Sequence, residues 1–286
     1  MTGMGAWRAK AVGHRRAEGP PPYEWALSPG EPLARSGGFA VHGGDGEVRV
    51  TGAEGRTLWT HTFAGRPNAA HVSGGRVLVT TDSLEYTPWG FLGPAYLLDL
   101  ADGRLVAELR GERGAALGGG RFLLGLEGYG IFETRAYDRD GAETDHWPSY
   151  GHYVVGSGVR VVEADRRLPT RGRVVRLLPG GTVVPGPRLS DPQPPRPVVL
   201  PDGTVLVLDG GVIRAVGRDL GTTVLAELKP PADTRTLRTL RWDGAELTAT
   251  VAEPHPADPA RHTVDTWTFR LSPTGDAGSR PPARRT

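Results

Sequence analysis

Two imidazoles and a carboxylate, His255, Asp258 and His262, fall within a short stretch of the chain and form the one set of side chains with ligand-like spacing. Such a trio can hold a divalent metal. Pro254, Pro256 and Pro259 stiffen the segment Ala252 to Val264, but a loop has no fixed helical spacing to aim the three groups at one point. A polar surface loop is the plainer account, and the three stay candidates only. His71 stands apart: it lies in a predicted first strand where other repeats carry Ala40, Ala116 and Val199. A histidine there is either a catalytic candidate, able to bind or carry a proton, or a hydrogen-bonded structural residue.

Aromatic and cationic residues gather in the longer connections. Tyr86, Trp89 and Phe91 sit among prolines and glycines between Asp82 and Ala95, and the next repeat adds Tyr129 and Phe132. Arg166, Arg167 and Arg171 follow in the connection Glu163 to Gly172. Rings beside arginines are the composition of contact surfaces. The competing account folds these rings back over the core.

Other chemistry is missing from the sequence. There is no phosphate-cradling P-loop, no G-x-S-x-G elbow and no H-E-x-x-H helix. With no cysteine there is no disulfide, no thiolate metal site and no cysteine nucleophile. No cofactor is expected. Formal net charge is only +2, the basic residues are almost all arginine, and the one dense basic run is the tail from Arg280 to Arg285, so a nucleic-acid partner is not favoured. No apolar stretch approaches the roughly 18 residues that span a bilayer, and Met1 to Arg16 lacks the apolar run of a signal peptide. The expectation is a cytoplasmic protein without a membrane segment.

The elements that must position these residues are strands. Glycine and proline together make up about a quarter of the chain, spread between β-branched runs, which implies many short strands and many turns. A pattern of alternating strand, Gly turn and second strand recurs as YEWALSPGEPLAR from Tyr23, VRVTGAEGRTLW from Val48, YLLDLADGRLVAEL from Tyr96 and TRAYDRDGAETDHW from Thr134. It returns as VVRLLPGGTVVPG from Val174, VIRAVGRDLGTTVLAEL from Val212 and WTFRLSPTGD from Trp267. Its turn glycines are Gly30, Gly55, Gly103, Gly141, Gly181, Gly221 and Gly275, with a mean interval of about 41 residues, the length of one four-stranded propeller blade. A second hairpin precedes most copies, turning at Gly43-Gly44, Gly74-Gly75, Gly119-Gly120, Ser157-Gly158, Asp202-Gly203 or Asp243-Gly244.

With GGRVLVTT, YLLDLADGRLVAELRG and PDGTVLVLDG, the chain resembles the PQQ-like repeat proteins of the WD40-like propeller superfamily, from about Tyr23 to Gly275. The resemblance implies architecture and little about activity. A quinoprotein dehydrogenase would need a cofactor pocket, calcium and often a vicinal disulfide, and nothing here provides them.

The expected fold is therefore all-β, a single β-propeller over residues 1–275, with seven blades and six as the alternative, each of three to four antiparallel strands. Residues 276–286 would be a basic, disordered tail. The short interval from Gly30 to Gly55 predicts a blade lacking a strand, and the last copy lacks a fourth strand, which a strand around Trp7 to Val12 would supply. Turns between first and second and between third and fourth strands are short. Several second–third connections are long: Gly13 to Pro22, Asp82 to Ala95, Glu127 to Glu133, Glu163 to Gly172 and Ala252 to Val264. The functional expectation is a non-catalytic scaffold that recognises a protein partner through this long-loop face. The alternative is a lyase or hydrolase with a metal or histidine site near the central channel.

Overall fold

The computed structural model describes residues 7–19, 31–88, 90–128, 130–164, 171–191, 194–228 and 236–274. Among them there is no α-helix, as expected of a sequence whose apolar residues alternate and whose runs are cut by glycine. The chain divides into two compact units, Met1–Glu24 with Leu189–Thr286, and Trp25–Arg188.

Strand β1 (Trp7–Gly19) opens the chain. The unit Trp25–Arg188 then builds four antiparallel sheets, each in simple sequential order. The first joins β2 (Ala34–Ser36), β3 (Phe39–Gly43), β4 (Glu47–Thr51) and β5 (Thr57–Thr62). The second joins β6 (Gly65–Ser73), β7 (Arg76–Thr87), β8 (Gly90–Asp99) and β9 (Leu105–Arg110). The third joins β10 (Arg113–Gly118), β11 (Arg121–Gly128), β12 (Ile131–Tyr137) and β13 (Glu143–Trp147). The fourth joins β14 (Gly151–Gly156), β15 (Gly158–Ala164), β16 (Gly172–Leu178) and β17 (Thr182–Arg188).

Period-2 alternation puts apolar side chains on both faces of the middle strands, so consecutive sheets of this unit pack face to face. Val41, Val48 and Val50 of the first sheet meet Val77, Val79 and Leu98 of the second. Leu78 and Leu97 of the second meet Phe122 and Leu124 of the third. Leu123 and Trp147 of the third meet Val161 and Val175 of the fourth. Full burial of each such side chain contributes roughly 1.5–3 kcal/mol.

The unit Met1–Glu24 with Leu189–Thr286 holds two sheets. One joins β18 (Val198–Val199), β19 (Val205–Asp209), β20 (Val212–Val216) and β21 (Thr222–Glu227). The other runs β1-β24-β23-β22, from β22 (Leu237–Trp242), β23 (Glu246–His255) and β24 (Asp258–Pro273). Leu206, Leu208 and Ile213 of one pack on Leu240, Leu247 and Phe269 of the other.

Strand β1 therefore supplies the fourth strand of the last sheet, pairing with β24 from Trp7↔Pro273 to Gly19↔His262. This pairing answers why the copy at Trp267 has no fourth strand of its own. It also sets the count: the described residues form six sheets, the alternative number, rather than seven. The first part of the Tyr23 copy, through Gly30, lies outside the described residues, as do Gly275 and the basic tail. No strand is missing from β2–β5, because the hairpin turn at Gly37-Gly38, not Gly43-Gly44, separates its first two strands. Five of the seven turn glycines, Gly55, Gly103, Gly141, Gly181 and Gly221, sit between third and fourth strands as predicted. At Gly103 the reason is visible: φ is +75°, and a Cβ would fall 2.7 Å from the Trp59 ring of the preceding sheet.

Most of the predicted long loops are corrected to paired backbone. Strands β7 and β8 stay paired to Thr87↔Gly90, and β11 with β12 to Gly128↔Ile131. Residues 13–19 pair with residues 262–268, and β23 pairs with β24 out to His255↔Asp258. Two stretches read as separate loops are thus neighbouring strands of one extended sheet. Among the described residues no helix is long and apolar enough to cross a membrane.

Candidate functional site

At the end of the sheets where second and third strands turn, the β7–β8 hairpin carries the most exposed large apolar side chains among the described residues of its unit. Its buried half is apolar, through Val77, Leu78 and Val79. Beyond Thr81 the sequence changes to Asp82-Ser83-Leu84-Glu85-Tyr86, and Leu84, Tyr86 and Phe91 are 68%, 74% and 62% exposed. The Tyr86 and Phe91 rings meet edge to face, 5.6 Å between centroids, the geometry their quadrupoles favour. Asn68 braces the base, donating to Asp82 Oδ1 at 2.7 Å and accepting from Thr80 at 2.5 Å, while Thr81 donates to the Pro94 carbonyl at 2.7 Å. Asp82 and Glu85 are exposed beside the rings. The rings do not fold back over the core: they pack on each other in solvent. Trp89, between them in sequence, lies outside the described residues.

A buried polar network occupies the same end of the third and fourth sheets. Thr134 donates to the Ser149 carbonyl at 2.5 Å and stands 2.8 Å from the Tyr153 hydroxyl; its one proton being used, Tyr153 is the donor in that contact. Tyr150 donates to Glu112, and Ser149 donates to Glu163, which also accepts the Tyr150 amide at 3.3 Å. The Arg113 guanidinium lies 4.8 Å from the Tyr150 ring centroid, and Phe132 meets that ring edge-on at 5.8 Å. Gly125 makes the approach possible, since a Cβ there would fall 2.2 Å from the Tyr153 hydroxyl. Burial, with the Glu112 and Glu127 charges adding, pushes the Tyr150 phenol far above its ordinary value, and burial does the same to Tyr153. Both phenols therefore hold their protons and act as donors rather than bases. This network joins two sheets, and of the predicted residues it uses Phe132. Tyr129, Arg166 and Arg167 lie outside the described residues; Arg171 is exposed just before β16.

His71 on β6 is half-buried, its ring against the backbone of Gly114 on β10: a Cβ at that glycine would fall 2.5 Å from the ring. In the other unit, Asp209 accepts from Ser190 and Arg214, both at 2.8 Å, and Asp191 pairs with Arg238. His14 meets Asp265 at 3.0 Å and stacks on Trp267. His255, Asp258 and His262 are not gathered into a metal-sized cluster among the described residues. Strand pairing separates them: His255 faces Asp258 across the hairpin tip, while His262 sits opposite Pro254.

Sequence reasoning missed the polar network and a cationic face on sheet β2–β5. Arg35, His42 and Arg49 point to one side of that sheet, as the pairs Arg35↔Ala40 and His42↔Arg49 require. The alternation of A-R-S, A-V-H and V-R-V carried that signal.

No protein-family model and no curated protein matches the chain. Solved structures do. A chain of the mitotic checkpoint complex aligns with TM-score 0.51 at 14% identity, covering 80% of this chain and 73% of that one. BamB from Moraxella catarrhalis aligns at 0.48 and 19% identity, covering 81% and 79%, and a streptogramin B lyase at 0.47 and 12%, covering 79% and 74%. The chain is a β-propeller. The six four-stranded sheets of the described residues are blades, with strand order as a propeller requires and β1 completing the sheet of β22–β24. At such identities the likeness speaks to the propeller fold alone.

Proposed function

We propose that this propeller is a binding module that docks a partner protein on the β7–β8 hairpin of its second blade. The observation that carries the reading is the exposed trio Leu84, Tyr86 and Phe91, held out on paired strands whose base is fixed by hydrogen bonds. Apolar side chains so exposed and so rigidly presented lose little entropy when covered. Asp82 and Glu85 beside them favour a partner segment that combines apolar side chains with arginine or lysine.

The test is selection of displayed random peptides on the immobilised protein. Peptides rich in apolar and basic residues are expected to enrich on the wild type and to lose roughly 1 kcal/mol or more on Tyr86→Ala and Phe91→Ala, the scale of interface hot spots. Melting temperatures of both variants should barely move. Equal capture by Phe91→Ala, or a stability loss of roughly 3–5 kcal/mol as for a buried ring, would refute this placement. So would a concentration-dependent dimer that Phe91→Ala abolishes, which would assign the hairpin to a second copy.

A further inference from the structure

Two pairs of one tyrosine and one phenylalanine stand edge to face at the same end of the unit Trp25–Arg188, and they differ in what covers them. Between the third and fourth sheets Phe132 and Tyr150 meet at 66°, with 5.8 Å between centroids. The Arg113 guanidinium lies over that Tyr150 ring, 4.8 Å from its centroid, and the Glu112 carboxylate accepts from the Tyr150 hydroxyl. On the β7–β8 hairpin Tyr86 and Phe91 repeat the pairing at 80° and 5.6 Å. No cation completes this second pair. Among the described residues no guanidinium or ammonium lies over either ring, and the sequence from Asp82 to Gly93 contains no arginine, lysine or histidine.

Two rings nearly at right angles form a corner whose open faces carry the negative side of their quadrupoles. Both rings are more than half exposed, so the corner is within reach of another molecule. Glu85, next to Tyr86 in the chain, is exposed and has no cationic partner among the described residues. A leucine from a partner would cover the rings and leave that carboxylate without a counter-charge. A lysine would bring a compact, strongly hydrated ammonium, whereas the planar guanidinium of arginine is more weakly hydrated, stacks on a ring face and still directs N–H groups to a carboxylate. A second copy would set Asp82 and Glu85 against like charges.

We propose that the corner between Tyr86 and Phe91 receives an arginine side chain of the docking partner, its guanidinium over a ring face and its N–H groups donating to the Glu85 carboxylate. This rests on the docking function proposed above and adds the one side chain that the partner must carry. Arg113 on Tyr150 is the same contact made within the chain.

The experiment captures synthetic random peptides on the immobilised full chain, from libraries whose central residue is fixed as arginine, lysine, citrulline or leucine. Citrulline keeps the planar shape of arginine without its charge. Wild type is expected to retain the arginine library roughly fivefold or more over the citrulline and leucine libraries, the scale of one cation–π contact, with lysine between. Phe91→Leu keeps an apolar side chain without a ring face, and Glu85→Gln keeps the size without the charge; each should bring the arginine-to-leucine ratio down toward one. Leu84→Ala should lower capture of both libraries and preserve their ratio. All three variants should melt as wild type does, because all three side chains lie in solvent. Equal capture of the arginine and citrulline libraries by wild type, or a ratio that survives Phe91→Leu, overturns this inference and leaves the docking function standing. Lysine captured as well as arginine overturns the choice of arginine. No capture of any library by wild type removes the docking function, and the arginine with it.

Discussion

The indole of Trp59, on the fourth strand of the first blade, donates from Nε1 to the Leu100 carbonyl at the end of the third strand of the second blade, 2.8 Å away. Trp147 repeats the arrangement two blades on, donating to the Leu178 carbonyl at 2.6 Å. A ring that fills the space between blades thus also satisfies a carbonyl the ladder leaves open. Trp59→Phe keeps most of the volume and strands the carbonyl, so it should cost about 1–3 kcal/mol. Trp59→Ala should cost about 3–5 kcal/mol. Urea unfolding followed by circular dichroism measures both; an unchanged midpoint for Trp59→Phe would show the bond to be idle.

Thr134 is fully buried with both its contacts made by its hydroxyl. Thr134→Val is nearly the same size but leaves the Ser149 carbonyl and Tyr153 hydroxyl without that partner, a loss of about 1–3 kcal/mol. Thr134→Ser retains the hydroxyl and should recover most of it. If valine proves as stable as threonine, the network between the third and fourth blades is not held by this residue.

His42 gives a pH dependence of known sign. Its pKa is lowered in the folded protein, so between the folded and unfolded values the unfolded chain binds more protons. Its contribution is fully present above the ordinary histidine value near ~6.5 and is lost as pH falls through the lower folded value. Wild type should therefore lose more thermal stability between neutral and mildly acidic pH than His42→Gln. Parallel slopes for the two proteins would contradict this.

The blades were legible because a propeller repeats its turn chemistry: Gly103 must be glycine to clear Trp59, and Gly55, Gly141 and Gly181 share its positive φ at the equivalent turns. Closure of the last blade by β1 was legible for a related reason, since the copy at Trp267 ends without a partner strand. The count was harder, because a hairpin at Gly37-Gly38 looks in sequence much like the turn at Gly43-Gly44. Long hairpins were misread as loops where proline and glycine interrupt them, at Pro88-Trp89-Gly90 and Pro254 to Pro259, although pairing continues on both sides. The Thr134–Tyr153 network was invisible because its members are scattered from Glu112 to Glu163, and only the stacking of two blades brings them together.

Strand β1 is synthesised before every other described strand, yet its hydrogen-bonding partner spans Asp258–Pro273. It must wait, unpaired, until nearly all the other described strands have been synthesised. During that interval its arginines and lysine, at 8, 10, 15 and 16, keep an open β-edge charged and poorly suited to pairing with another chain. Translation thus leaves this sheet as the final one of the six described sheets to be completed, and its stability reports on the first and the last described strand at once.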